Sequence, residues 1–295
     1  MRIGVIEAEE KIAVLTAIKE LREIVRQWRF SGHTVGFVPT MGFLHEGHKS
    51  LIRRAAAEND YVVVSIFVNP MQFGPGEDLE TYPRDFETDQ KSCIESGANM
   101  IFLPEISELY PDGFCSYVDM TGLTDSLCGA SRPTHFRGVC TVVAKLFNIV
   151  QPDRAYFGEK DAQQLAVIRK MVLDLNMDIE IIGCPIIREH NGLAMSSRNS
   201  YLSQKERQAA RCLFRSLEAA KEMIQSGERC AATIETLIRE TIGKEPLAKI
   251  DYVQIVDSVS LVPVAALKAP VLCAIAVYIG HTRLIDNFTM EHFEK

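Results

Sequence analysis

The sequence predicts an α/β protein: a Rossmann-like parallel sheet with helices on both faces, plus a smaller C-terminal α+β domain. Three observations carry this. Strand-length apolar runs alternate with helix-period segments through the first part of the chain. One of them, "YVVVSIFVN" (61–69), is apolar almost without interruption, as a strand covered on both faces must be. After about residue 185 the rhythm changes to a polar loop, then helices, then strands. The expected division is therefore 1–185 for the Rossmann-like domain and 186–295 for the smaller one.

Taken in order, Ile18, Leu21, Val25 and Trp28 recur at helical spacing, and "SGH" closes that helix. "TVGFVPT" (34–40) is a short apolar strand, and a helix follows from about Glu46 with Leu51, Ile52 and Ala55 turned inward. After the strand at 61–69, "DFETDQKSCIESG" is an amphipathic helix ending in glycine and "NMIFLP" the next strand. "GVCTVVAKLFNIVQP" reads as a helix stopped by proline. "RAYFGEKD" is a strand and turn, "AQQLAVIRKMVLDL" a helix and "DIEIIGCP" a strand. Beyond them, "REHNGLAMSSRNSYLS" is a turn-rich loop. Helices are expected over about 203–226 and 230–243, and strands at "KIDYVQIVD", "PVLCAIAVYIG" and "TRLIDNF".

The chain has 295 residues, 47% apolar and 24% charged, with a net charge of −7. No global field attracts nucleic acid or an anionic membrane, so any anionic ligand needs local positive charge. The eight cysteines are scattered without a C-x-x-C pair, which suits reduced thiols rather than a zinc site or a disulfide framework. "MRIGVIEAEEKIAVL" is acidic and lacks the order of a signal peptide. The apolar stretch 269–280 falls short of the roughly 20 residues that span a bilayer. A soluble cytoplasmic protein is expected.

The stretch "VPTMGFLHEGHKS" (38–50) raises the chemical question. A zinc helix of the H-E-x-x-H type needs histidines four apart, whereas His45 and His48 are three apart with Gly47 between them. A phosphate turn fits better. A strand ends at Pro39, Gly42 follows, and the helix starts at the histidine pair, where unpaired N–H groups favour an anion. Glycines at 42 and 47 leave room for close approach, and imidazoles add donors. Histidines that merely cap a helix and pack on neighbours are the plain alternative. "YFGEKDAQQL" places Lys160 at another strand end, and "AMSSRN" sets Ser196, Ser197 and Arg198 in a row. Each alone could be a solvated lysine or a capping turn. In a parallel sheet, however, such strand ends border one crevice, where His45, His48, Lys160 and Arg198 could hold a triphosphate.

These segments carry a resemblance. "PTMGFLHEGH" resembles the H-x-G-H signature of nucleotidyltransferases, and in its full form that of the pantothenate synthetase family. "NPMQFG", "RPTHFRGVCTVV", "YFGEKDAQQL" and "MSSRN" resemble that family's other motifs, in the same order, between about residues 34 and 202. The resemblance implies ATP-dependent condensation of pantoate with β-alanine. Pantoate attacks the α-phosphate to give pantoyl adenylate and pyrophosphate, and the amine of β-alanine then displaces AMP.

Carried over by position, the resemblance puts Met41, Gly42, Phe43, Leu44, His45, Glu46, Gly47 and His48 at the ATP site. Gly158, Glu159, Lys160 and Asp161 join them, with Ile187 at the adenine and Met195, Ser196, Ser197 and Arg198 as a mobile phosphate loop. His48, His45, Lys160 and Arg198 would stabilise charge on the leaving pyrophosphate. Gln72, Gln164 and Asn69 would form the pantoate pocket, and Asp89 would help bind Mg²⁺. The resemblance also implies a homodimer. Nothing in the sequence names a base for the amine of β-alanine, and the second domain is expected to close as a lid over the adenylate.

There are departures. Thr134 stands where the family has glycine, which strains the loop carrying Arg132, His135 and Arg137 if that position needs a positive φ. Ala162 replaces a common aromatic, and Phe43 a small residue. The rival readings are another H-x-G-H nucleotidyltransferase acting on a different small acid, and a nucleotide sensor without turnover. Intact His48, Lys160 and Arg198 count against the sensor, and the acidic balance counts against a nucleic-acid partner.

Overall fold

The computed structural model describes residues 12–268 and 270–292, so the expectation drawn from residues 1–11 lies outside it. Six strands, β1 (Ala13–Leu15), β2 (Val35–Thr40), β3 (Tyr61–Ile66), β4 (Met100–Phe102), β5 (Arg154–Gly158) and β6 (Glu180–Cys184), form one parallel sheet. Their order is β1-β4-β3-β2-β5-β6. The chain steps from β2 to β3 on one side and later enters β5 on the other, so the direction of winding reverses between β2 and β5. Ligands of such sheets bind beyond the carboxyl ends of the strands at that reversal.

Alternating residues of each strand feed two cores. Phe37 and Phe102 face the helices Ile18–Phe30 and His135–Val150, meeting Leu21, Val25 and Phe147. Val38, Val64 and Ile101 face the opposite helices, Glu46–Glu58 and Phe86–Glu95, meeting Ile52, Ala55 and Cys93. The near-continuous apolar run of β3 is thus explained by helices on both sides of the sheet.

Three further strands, β7 (Ala248–Asp257), β8 (Val271–Ile279) and β9 (Thr282–Met290), form a separate antiparallel sheet in sequence order. The helices Arg211–Gln225 and Ala231–Gly243 cover one face through Leu213, Leu217, Ile234 and Ile238. Leu272 and Ala274 on the other face pack with Leu127 and Ala162. Burial on both faces accounts for the apolar run in β8.

Two readings need amendment. The helix expected over about 203–226 is two helices, Gln204–Ala209 and Arg211–Gln225, broken at Ala210. A capping box between Ser203 and Glu206 starts the first. The edge strand β1 and the short helices Ile106–Leu109 and Leu127–Ser131 were not foreseen, being too brief to show a period.

Candidate active site

The turn after β2 is held from beneath. Gly42 and Phe43 take the left-handed conformation, with φ of 82° and 52°. A side chain at Gly42 would lie 2.9 Å from Asp89 Oδ2, so glycine is required there for space as well as conformation. Asp89 is buried, and its carboxylate accepts the backbone N–H of Phe43 at 2.8 Å and of Leu44 at 2.6 Å. The carboxylate expected to help bind Mg²⁺ is thus already occupied by two backbone donors. Both oxygens brace the turn, and the residue lines neither cavity described below. Among the described residues no group of three or more His, Cys, Asp or Glu side chains could hold a metal ion.

His45 is the N-cap of helix Glu46–Glu58 and accepts Gly47 N–H at Nδ1, 3.1 Å away. His48 Nδ1 accepts His45 N–H at 3.3 Å, completing a reciprocal cap. The capping reading is therefore correct in geometry, and it has a chemical consequence. With Nδ1 accepting in both rings, the neutral tautomer carries its proton on Nε2, so both imidazoles are donors. The rings lie 4.1 Å apart between centroids. Burial, then the neighbouring His48 and Lys160, lowers the pKa of His45 to about 2. Burial and Lys160, against the opposing pull of Asp161, lower that of His48 to about 4. Both rings are neutral near pH 7.

β5 delivers the next group. Gly158 ends the strand, and Lys160 sits in the following turn with its ammonium 3.3 Å from Asp161. The turn is anchored by Asn287 of β9, whose side chain donates to the carbonyls of Glu159 at 3.1 Å and Lys160 at 2.8 Å. A small hairpin bridges Arg188 and Ala194, and Met195 N–H donates to Ile187 carbonyl at 2.9 Å. That hairpin is why the two residues meet although they are separated in sequence. Arg188 pairs with buried Asp286, again on β9. Ser197 Oγ donates to Phe43 carbonyl at 3.2 Å, docking the "MSSR" loop on the histidine turn. Arg198 reaches Asp78.

Gln72 lies under helix His135–Val150, where Gly138 makes close packing possible. A Cβ at 138 would be 2.2 Å from Met71 carbonyl oxygen. Gln72 carbonyl also accepts from Arg132 at 3.1 Å and lies 2.9 Å from His135 Nδ1. Arg132 in turn forks onto Glu77, with 2.6 Å to each oxygen. Thr134 has φ of −97°, so the anticipated strain does not arise.

A cavity of about 240 Å³ opens at the carboxyl ends of β2 and β5. His45, Gly47 and His48 line it from one turn, Gly158, Lys160 and Asp161 from the other. Met41, Asn69, Gln72 and Gln164 close the apolar end with Phe67 and Val143. Ile187, Met195, Ser196, Ser197 and Arg198 complete it. Gly42, Phe43 and Leu44 stand behind this wall as backbone support. Glu46 instead pairs with Arg53, and the Glu159 side chain is exposed. An adjoining cavity of about 550 Å³ shares Arg132, Lys160, Gln164 and Arg198 and extends to Tyr252 and Ile285 of the second sheet. The sequence reading missed Glu77, Asp78, Asp286 and Asn287. Their only local signal is polarity, which loops share generally.

A parallel sheet with a cationic, donor-lined cleft at its winding reversal places the chain in the class of nucleotide-binding α/β enzymes. The family model described as Pantoate-beta-alanine ligase matches residues 13–289. A pantothenate synthetase from Clostridium acetobutylicum is 60% identical over 276 residues, covering 94% of this chain and 98% of that protein. One from Clostridioides difficile is 60% identical over 274 residues, covering 93% and 97%. The crystal structure of pantothenate synthetase from Thermus thermophilus has a TM-score of 0.91 at 45% identity, covering 95% of this chain and all (100%) of the other. That of the Francisella tularensis ligase complexed with "Beta-gamma ATP" and β-alanine has a TM-score of 0.77 at 35% identity, covering 94% and 97%. The chain belongs to the pantoate–β-alanine ligase family.

Proposed function

We propose that this chain condenses pantoate with β-alanine at the expense of ATP, through pantoyl adenylate, releasing AMP and pyrophosphate. The observation that carries the reading is the meeting of His48, Lys160 and Arg198, from a helix start and two separate turns, in the cavity that also holds Gln72 and Gln164. The two glutamines offer amides to a small hydroxy acid at the apolar end, and the cationic end suits a triphosphate.

A pantoate carboxylate is already ionised, so its attack at phosphorus needs positioning and charge stabilisation rather than a base. Lys160 and Arg198 supply fixed positive charge, and the Nε2–H groups of His45 and His48 donate to phosphate oxygens. Because both Nδ1 atoms accept backbone N–H groups, neither ring is arranged as a base for the amine of β-alanine. Ile187 and Met195 offer apolar contact to the adenine, and Asn69 supports Gln72.

Mg²⁺ accompanies the phosphates in this proposal and would help neutralise their charge. The described residues offer it no protein cage, because both oxygens of Asp89 are taken by the turn. The segment 186–295 is proposed as a smaller domain acting as a lid. In support, Asn287 and Asp286 tie β9 to the Lys160 turn and to the hairpin that carries Ile187. The reading includes a homodimer and a cytoplasmic location. Six of the eight cysteines are buried thiols, which suits a reducing compartment, and no described helix is long and apolar enough to cross a membrane. The net charge of −7 fits small-molecule substrates rather than nucleic acid.

The test is AMP production from ATP with pantoate and β-alanine, omitting each in turn. Pyrophosphate–ATP exchange supported by pantoate alone is expected. Exchange supported instead by a different small acid would favour the related nucleotidyltransferase reading.

A further inference from the structure

Behind the Gln72 amide runs a short relay of side-chain hydrogen bonds whose polarity is fixed by the backbone. Asn69 is 1% exposed. Its Oδ1 lies 3.3 Å from the N–H of Met71, which can only donate, and its Nδ2 lies 3.1 Å from the carbonyl of Gly138, which can only accept. The orientation of the Asn69 amide is therefore determined. The second proton on Nδ2 goes to Gln72 Oε1 at 3.1 Å. Gln72 must then turn its NH₂ group forward, where its neighbour is Met41 Sδ at 2.9 Å, a weak acceptor that leaves amide protons available to a ligand.

The relay begins outside the cavity. Tyr110 Oη donates to Asn69 Oδ1 at 2.9 Å, yet Tyr110 does not line the cavity. Its ring is set by Phe67 and Phe114, with centroids 6.1 and 5.0 Å away, and its N–H donates to Ile106 carbonyl at 2.7 Å. Burial pushes the phenol above its ordinary pKa, so it remains a protonated donor.

We propose that Tyr110 is a positioning residue for the hydroxy-acid subsite: through Asn69 it holds the Gln72 amide with NH₂ toward the ligand, so that this end of the cavity selects an oxygen acceptor. The inference rests on the reading of Gln72 as a pantoate contact. Without the phenol, Asn69 Oδ1 keeps only the longer bond from Met71, and both amides gain freedom to rotate.

The experiment is a double-mutant cycle on the full chain with Tyr110→Phe, Gln72→Ala and the pair, measuring AMP formation and thermal midpoint. Tyr110→Phe is expected to raise KM for pantoate about fivefold, the size of one neutral hydrogen bond. KM for ATP should not change, and the thermal midpoint should fall by no more than a few degrees, the cost of one lost hydrogen bond. In the Gln72→Ala background Tyr110→Phe should not raise pantoate KM further. An unchanged pantoate KM in Tyr110→Phe overturns the inference, as does an equal effect in both backgrounds. If Gln72→Ala itself leaves pantoate KM unchanged, the underlying reading of Gln72 fails and takes this inference with it.

Discussion

Arg198 and Asp78 form a two-pronged ion pair, with Nε 2.9 Å and Nη2 2.8 Å from the two carboxylate oxygens. Burial raises the pKa of Asp78, but the hydrogen bond and charge of Arg198 outweigh it and leave the carboxyl below its ordinary value. The guanidinium proposed to meet the triphosphate is thus already matched to a carboxylate of the protein. Binding ATP requires Arg198 to share or leave this partner, and the carboxylate repels the incoming phosphates.

Asp78→Asn should therefore tighten ATP binding, by about three- to tenfold on the scale of about 1.4 kcal/mol per decade. Calorimetric titration with a non-hydrolysable ATP analogue measures this. Weaker binding in the variant would mean that Asp78 prepares Arg198 rather than competing with phosphate.

Lys160→Ala and His48→Ala should each lower pyrophosphate–ATP exchange by about 10² or more, the usual size for losing a group aimed at developing charge. Thermal midpoints should move little in Lys160→Ala, whose ion pair with Asp161 is partly exposed. Near-normal exchange in either variant removes that residue from the chemistry.

The histidine turn should make the protein acid-labile in a defined window. The folded pKa of His48 is lowered from 6.5 to about 4. Between these values the unfolded chain binds the proton and the folded chain does not, so stability falls as pH drops from 6.5 toward 4. Linkage sets the contribution of His48 at about 3 kcal/mol. His45, lowered to about 2, extends the loss to lower pH. His48→Gln should flatten urea-derived stability against pH over this range. Bound phosphates oppose the lowering, so an ATP analogue should also take up protons near pH 5, detectable by calorimetry in buffers of different ionisation enthalpy.

Asp89→Asn tests the bracing role. One oxygen is replaced by a donor facing the N–H groups of Phe43 and Leu44, at a cost of about 1.5–3 kcal/mol in stability. Activity should fall with it, while the Mg²⁺ concentration for half-maximal rate stays the same. A large rise in that concentration would return Asp89 to the metal.

How much was legible follows from what a sequence repeats. The helix at Glu46 with Leu51, Ile52 and Ala55 inward was readable because a helix buries the same face every turn. β8 was readable because two covered faces leave no polar position. The histidine pair, the Lys160 turn and the serine–arginine loop were readable as motifs. Their convergence could be argued only from the rule that strand ends share a crevice. Asp89 shows where motif reasoning stopped. The resemblance puts Asp89 beside Mg²⁺ and its acidic helix reads as a solvated face, whereas the carboxylate is buried beneath Phe43 and Leu44 and accepts their N–H groups.

By itself the sequence determined the longer strands and helices, the glycines that let the turns form, and the cationic groups on offer, because each depends on residues within a few positions of one another. Tertiary structure alone decided their partners. Asp78 meets Arg198 across 120 positions, and Asn287 reaches the Lys160 carbonyl across 127. Such pairings follow from strand order and from how the second sheet packs on the first unit. Those are set by the burial of whole faces at once, and no local pattern encodes which loop will lie beside which.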